Sequence, residues 1–156
     1  MPDVTIREAT PTDAAALARV YRSAYRENRT LGFPAKAEEA TAETVGEWID
    51  EHHVLVAIED GSVVGGARLE VTDPDRVKLS RVAVHEDRKG EGIGTQLLDR
   101  AEALVGEWGH DVVWLTTPPE HPYLPDLYRA RGYDETAPYP LEYREYDEVV
   151  MEQRLE

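Results

Sequence analysis

Apolar and polar residues alternate from Val4 to Arg7, the period-two pattern of a short first strand. Thr10-Pro11-Thr12-Asp13 then opens a helix: Thr10 can cap it, Pro11 suits the first helical position, and Asp13 sets a carboxylate in the first turn. Leu17, Val20, Tyr21, Ala24 and Tyr25 follow at helical spacing, and the pattern runs out near Asn28. Leu31-Gly32-Phe33-Pro34 predicts a loop, and Thr41 to Asp50 predicts a second helix with Val45, Trp48 and Ile49 inward.

The period then changes. Val54 to Ile58 is an uninterrupted apolar run of buried-strand type, Asp60-Gly61 makes a hairpin turn, and Val63 to Val71 supplies the partner strand. After a turn at Asp73-Pro74-Asp75, a third strand of the meander covers Val77 to Val84. A glycine-rich turn, Lys89 to Gly94, leads into a long amphipathic helix whose apolar face carries Leu97, Leu98, Ala101, Leu104, Val105 and Trp108, with Gly109 ending it. Val112 to Leu115 predicts a further strand, Pro118 to Pro125 is proline-rich, a short helix runs from near Pro125 to Gly132, and Tyr143 to Leu155 fits a final strand. The order β-α-α-β-β-β-α-β-α-β predicts an α/β (α+β) domain, a mixed sheet with helices on its faces, over residues 1–156.

Composition narrows the function. At 156 residues and 41% hydrophobic, the chain can bury a core. It has no apolar run of about 18 residues and no basic-then-apolar leader, so a cytoplasmic protein with no membrane partner is expected. Absence of cysteine excludes disulfides, Cys-based metal sites and a Cys nucleophile, and His52, His53 and His85 lack metal-ligand company, so no metal is expected; His110 is assigned no role. With 32 acidic against 17 basic residues and a net charge of -15, the surface repels phosphate, which disfavours nucleic acid. Lysine occurs only at Lys36, Lys78 and Lys89. Acid-rich, lysine-poor composition spread along the whole chain points to a halophilic source with a salty cytoplasm; an acidic face that attracts cationic substrates is the alternative.

The glycine turn carries the chemistry. Glycines permit positive φ and close backbone approach. The first amides of a helix have no internal partner and point outward with the positive end of its dipole, so Lys89 to Gly94 can hold a phosphate or diphosphate. A P-loop is excluded because Gly94 is followed by Thr95-Gln96 rather than Lys-Ser or Lys-Thr. A Rossmann turn follows the first strand of a βαβ unit, whereas this one follows an antiparallel meander.

Val82-Ala83-Val84, then Lys89-Gly90-Glu91-Gly92-Ile93-Gly94, then Leu97-Leu98 resembles the acyl-CoA-binding motif of the GNAT acyltransferase superfamily: Arg or Gln, two variable residues, Gly, one variable residue, then Gly or Ala. Lys89 holds the first position, keeping the charge without the guanidinium fork. Leu127-Tyr128 through Gly132-Tyr133 is similar to the family's second signature, and the element order fits from Val4 to Leu155. The resemblance implies a mostly antiparallel mixed sheet of six to seven strands, with a fourth strand that bulges and splays from the fifth, and about four helices. It implies acetyl-CoA as cosubstrate, with the pantetheine arm along Val82, Ala83 and Val84 and the diphosphate on Lys89, Gly90, Glu91, Gly92, Ile93, Gly94 and Thr95.

By the same resemblance, an amine attacks the acyl carbonyl directly, and Tyr128 is the general acid that protonates the CoA thiolate or holds it by a hydrogen bond. Glu70 is the leading candidate for the base and His121 the second. The acceptor pocket falls on Arg29 to Lys36, including Phe33, and on Pro118 to Tyr123, while Tyr21, Tyr25 and Trp114 are core packing by default and pocket lining otherwise. The acceptor is a small-molecule or protein amine, and a homodimer is an open option because relatives often dimerise. A non-catalytic CoA-binding or sensing module on the same fold is the alternative function.

Overall fold

Hydrophobic runs separated by tight turns lay down the sheet, and the helices close over its two faces. The computed structural model describes residues 4–30, 40–88, 90–122, 124–139 and 148–155. Lys89, Tyr123 and the loop around Phe33 lie outside the described residues. The strands are β1 (Thr5–Glu8), β2 (His53–Glu59), β3 (Ser62–Asp73), β4 (Arg76–Val84), β5 (Val112–Thr117), β6 (Asp134–Tyr139) and β7 (Glu148–Arg154). The helices are α1 (Ala14–Thr30), α2 (Ala42–Glu51), α3 (Ile93–Glu107) and α4 (Leu124–Ala130). They form one seven-stranded sheet in the order β1-β2-β3-β4-β5-β7-β6. Only the β4–β5 pair is parallel; its neighbours run antiparallel. This is the expected mixed sheet. The strand that local pattern does not foretell is β6, whose residues are exposed except at Tyr139 and which contains Pro138. It survives as an edge strand because it leans on β7 alone.

Two glycines show how tightly the helices seat. A Cβ on Gly66 would lie 2.5 Å from Leu17 Cδ1 of α1. A Cβ on Gly65 would lie 3.1 Å from Leu97 Cδ1 of α3. Adjacent strand residues point to opposite faces. Gly66, Arg68 and Glu70 therefore share the α1/α2 face, and Gly65, Ala67 and Leu69 share the α3 face. Leu69, Leu79, Val113, Leu115, Tyr128, Tyr133 and Met151 pack with Leu97 and Leu98 on the α3 side. Leu17, Val20, Tyr21, Val45, Val54 and Val56 pack on the other. Asp13 anchors the entry to α1: its carboxylate accepts from the Thr10 amide at 2.8 Å and from Arg7 Nη1 at 2.8 Å.

Candidate active site

Two irregularities in β4 build the site. β4 and β5 pair only at Arg76↔Val112, Val77↔Val113 and Lys78↔Trp114. Beyond Lys78 the strands part, so Leu79 to Val84 has no ladder partner on its β5 side, and a gap opens between them. The second irregularity is a bulge. Gly66 opposes Ala83 and Arg68 opposes Ser80, so two steps along β3 match three along β4. Arg81 absorbs the extra residue with a φ of 53°. Val82 follows the bulge, and its carbonyl accepts from the Tyr25 hydroxyl at 3.3 Å, which places Tyr25 of α1 beside the gap. Ala83 is buried against α1, whereas Val82 and Val84 border the α3-side core.

The chain leaves β4 through a one-turn 3-10 helix, Glu86–Arg88, held by Glu86 N–H on Ser23 Oγ at 3.0 Å. Gly90 and Gly92 adopt φ of 82° and 84°, the left-handed region that glycine alone enters without strain. The first internal bond of α3 runs from the Gln96 amide to the Gly92 carbonyl at 3.1 Å. The amides of Ile93, Gly94 and Thr95 thus precede the helical ladder. Gly92 offers no side-chain cap, and the first turn holds no acid. A helix end left uncapped in a chain with 32 acids is suited to an external anion. Ile93 is buried in the core and contributes backbone only, while Thr95 is exposed. A Cβ on Gly94 would sit 3.7 Å from Val84 Cγ2, an ordinary contact, so packing does not require glycine there.

Tyr128 stands on α4, 9% exposed, within the cluster that Val82, Val84 and Leu115 join from both walls of the gap. Its motif has a structural cause. Gly132, at φ 98°, donates to the Arg129 carbonyl at 3.0 Å, and the Tyr133 amide donates to the Tyr128 carbonyl at 3.0 Å. That pair of bonds is a Schellman stop, and its usual apolar contact is the T-shaped stacking of Tyr128 on Tyr133 at 5.7 Å. Tyr133 in turn donates to Glu102 Oε2 at 2.9 Å. The cap fixes where the Tyr128 ring sits.

A GNAT acetyltransferase family model matches residues 16–133, a span that runs from α1 through the glycine turn to Tyr133. The chain belongs to the GNAT acetyltransferase family. It is an acyltransferase. The chain is 29% identical over 143 residues to an S-alkylcysteine N-acetyltransferase of Bacillus subtilis, covering 86% of this chain and 80% of that protein. It is 30% identical over 135 residues to an S-(2-succino)cysteine N-acetyltransferase of the same organism, covering 81% and 82%. Its fold matches that of the PaiA N-acetyltransferase of Thermoplasma acidophilum in complex with coenzyme A, with a TM-score of 0.82 at 17% identity over 98% of this chain and 99% of that one. The solved structure shares the GNAT fold; its bound coenzyme belongs to that protein.

The two base candidates of this GNAT domain stand on different elements, β3 and the loop between β5 and α4. Glu70 is on β3, opposite Lys78 at the fork of β4 and β5, and its Oε1 lies 3.3 Å from His52 Nε2. It occupies the α1/α2 face, whereas Tyr128 packs on the α3 face. His121 is buried in the loop between β5 and α4, and its Nδ1 accepts from the Leu124 amide at 3.2 Å. This bond caps α4 and puts the neutral ring's proton on Nε2. Tyr21 is fully buried, Tyr25 half-buried, and Trp114 half-buried with its Nε1 donating to Thr72 Oγ1 at 3.0 Å. Among the described residues, no group of three or more His, Cys, Asp or Glu is placed to hold a metal.

Pattern reading passed over a group of cations. Arg68 and Arg81 both lay their guanidinium groups against the Trp48 ring, 4.9 and 5.6 Å from its centroid. Lys78 lies over Trp114 at 5.1 Å and Tyr139 at 5.5 Å. Burial holds the Arg68 and Lys78 groups below their ordinary basicity, and the Arg81 charge lowers Arg68 further. The signal available in the sequence was the period-two placement of Arg68 with Glu70 and of Lys78 with Ser80; the bulge hides Arg81 from it.

Proposed function

We propose that this enzyme moves an acetyl group from acetyl-CoA to the primary amine of a small molecule by direct attack. The observation that carries the reading is the β4–β5 gap, one wall of which runs on to an uncapped helix end. The residues fit the coenzyme: the amides of Ile93, Gly94 and Thr95, with Lys89, Gly90, Glu91 and Gly92, would hold the diphosphate, and Val82, Ala83 and Val84 would line the pantetheine arm. Acetyl-CoA supplies the activated acyl group, so no enzyme nucleophile is needed. The amine nitrogen bonds to the acyl carbon, the C–S bond breaks, and the sulfur leaves with the electron pair. Tyr128 meets that charge with its hydroxyl, as a hydrogen bond or a transferred proton. Glu70, on the opposite face, is the group assigned to take the amine's proton, directly or through water.

The coenzyme enters from the α3 side and the acceptor from the α1/α2 side. A thermal-shift titration with CoA, paired with a thiol-release assay on an amine panel in high KCl, tests the proposal. CoA stabilisation with thiol release is expected. Stabilisation without release on any amine would favour a sensing module, and no stabilisation would remove the coenzyme site. The acid-rich surface is read as an adaptation to a salt-rich cytoplasm, and residues 1–156 as one catalytic domain.

A further inference from the structure

We propose that Arg68 and Arg81, set against Trp48, form the seat for a carboxylate of the acceptor, so that the acetylated amine belongs to an amino acid or a similar amino carboxylate. The inference rests on the transferase reading of the adjoining gap and adds the chemical class of acceptor.

Charge balance is the first support. In a chain with nearly twice as many acids as bases, arginines find carboxylates easily: Arg7, Arg76, Arg88, Arg100, Arg129 and Arg131 each pair with at least one. Arg68 and Arg81 pair with none among the described residues. Both lie against one indole, and the Arg81 charge bears on Arg68 there. Among the described residues, the carboxylate that bears on Arg68 is Glu70, and it is shared. Glu70 meets His52 and lies opposite Lys78, and Glu148 accepts from Thr116 Oγ1 at 2.8 Å on the far side of Lys78. Among the described residues this sets three cations, Arg68, Arg81 and Lys78, against two carboxylates.

Unsatisfied donors are the second support. Arg81 Nε is buried and has no hydrogen-bond partner, and neither has the buried Tyr21 hydroxyl. The Tyr21 ring packs edge-on against Trp48 at 5.5 Å, so both orphans sit around the same indole. Buried donors of this kind are rare in folded proteins unless a ligand or water completes them. Arg68 Nε is already fixed by Ser80 Oγ at 3.1 Å, which leaves its terminal nitrogens as the fork that a carboxylate matches with two parallel bonds.

Backbone geometry is the third. Strict alternation would send the residue after Ser80 to the α3 face. The bulge, with Arg81 in the left-handed region, turns its side chain back to the face of Arg68 and Trp48. A non-glycine residue there costs about 1 kcal/mol or more, and such strain persists where it aims a side chain for use. The seat lies one residue from Val82, beside the gap but on the face opposite α3, so the coenzyme's diphosphate does not account for it.

The test titrates the full chain, with and without saturating CoA, with S-methyl-L-cysteine and with its methyl ester, and follows the melting temperature. The two probes differ in the carboxylate charge. The free acid is expected to stabilise the protein and the ester is not. Arg81→Gln and Arg68→Gln should each raise the apparent Kd for the free acid about tenfold or more, the loss expected for a charged hydrogen-bonding partner. Arg81→Gln should keep its unliganded melting temperature, since it relieves a like-charge contact and its Nε has no hydrogen bond to lose. An equal response to acid and ester, no response to the acid, or an unchanged Kd in both variants would overturn the seat. A response to the acid that both variants lose, without thiol release from acetyl-CoA, would keep the seat and remove the transferase reading.

Discussion

Removing one oxygen atom from Tyr128 separates its chemistry from its packing. The ring is 9% exposed and stacks edge-on with Tyr133 at 5.7 Å, so Tyr128→Phe keeps the filled volume and the Schellman stop of α4. The fold therefore loses at most one hydrogen bond, about 0.5–1.5 kcal/mol. In the proposed reaction the hydroxyl faces a sulfur that gains negative charge as the C–S bond breaks. A hydrogen bond to a charged group contributes about 1.5–3 kcal/mol, which at 1.36 kcal/mol per decade slows the chemical step roughly 10- to 150-fold. Full proton transfer is not required for this, because a free thiol, at about 8.5, is more acidic than an ordinary phenol, at about 10. CoA affinity should change little, since the interaction grows only in the transition state. The assay is single-turnover thiol release at saturating acetyl-CoA and amine, so that product release does not mask the step. A single-turnover rate within twofold of wild type would remove Tyr128 from the mechanism.

Two further outcomes follow from charge. The Arg7 guanidinium and the Thr10 amide hold the Asp13 carboxyl at about 2, below its ordinary 3.8. A depressed carboxyl stabilises the fold above its unfolded-state value and loses that contribution as pH falls through the folded one. Asp13→Asn should therefore cost about 2 kcal/mol at neutral pH, and the gap from wild type in urea midpoint should shrink between pH 5 and pH 2; a gap that is constant with pH would contradict the linkage. The net charge of -15 predicts a melting temperature that rises with KCl into the molar range, and a flat or falling curve would count against the halophilic reading.

What the sequence discloses depends on how local each signal is. The meander of β2, β3 and β4 is written in apolar runs parted by Asp60-Gly61 and Asp73-Pro74-Asp75, and α3 in a clean apolar stripe stopped by Gly109; both are observed. The glycine turn and the Tyr128 to Tyr133 motif are contiguous, so the candidate site was legible through them. β6 was not, because a polar edge strand with Pro138 has no buried face to impose a period. The fork of β4 and β5 came from the family resemblance, and the local pattern on either strand does not encode it. The bulge at Arg81 breaks the alternation that pattern reading relies on, and the grouping of Arg68, Arg81 and Trp48 joins two strands and a helix. The three-residue spacing of His121 to Leu124 is that of a cap, and the structure shows the cap bond.

The proposed grip on the coenzyme's diphosphate is made by main-chain amides ahead of the α3 ladder. Amide proton–nitrogen spectra of the labelled protein, titrated with CoA and separately with pantetheine, report on those groups directly. CoA should shift the resonances of Ile93, Gly94 and Thr95, and pantetheine, which lacks the diphosphate, should leave them in place. Shifts confined to other parts of the chain, or equal responses to both compounds at these three residues, would contradict it.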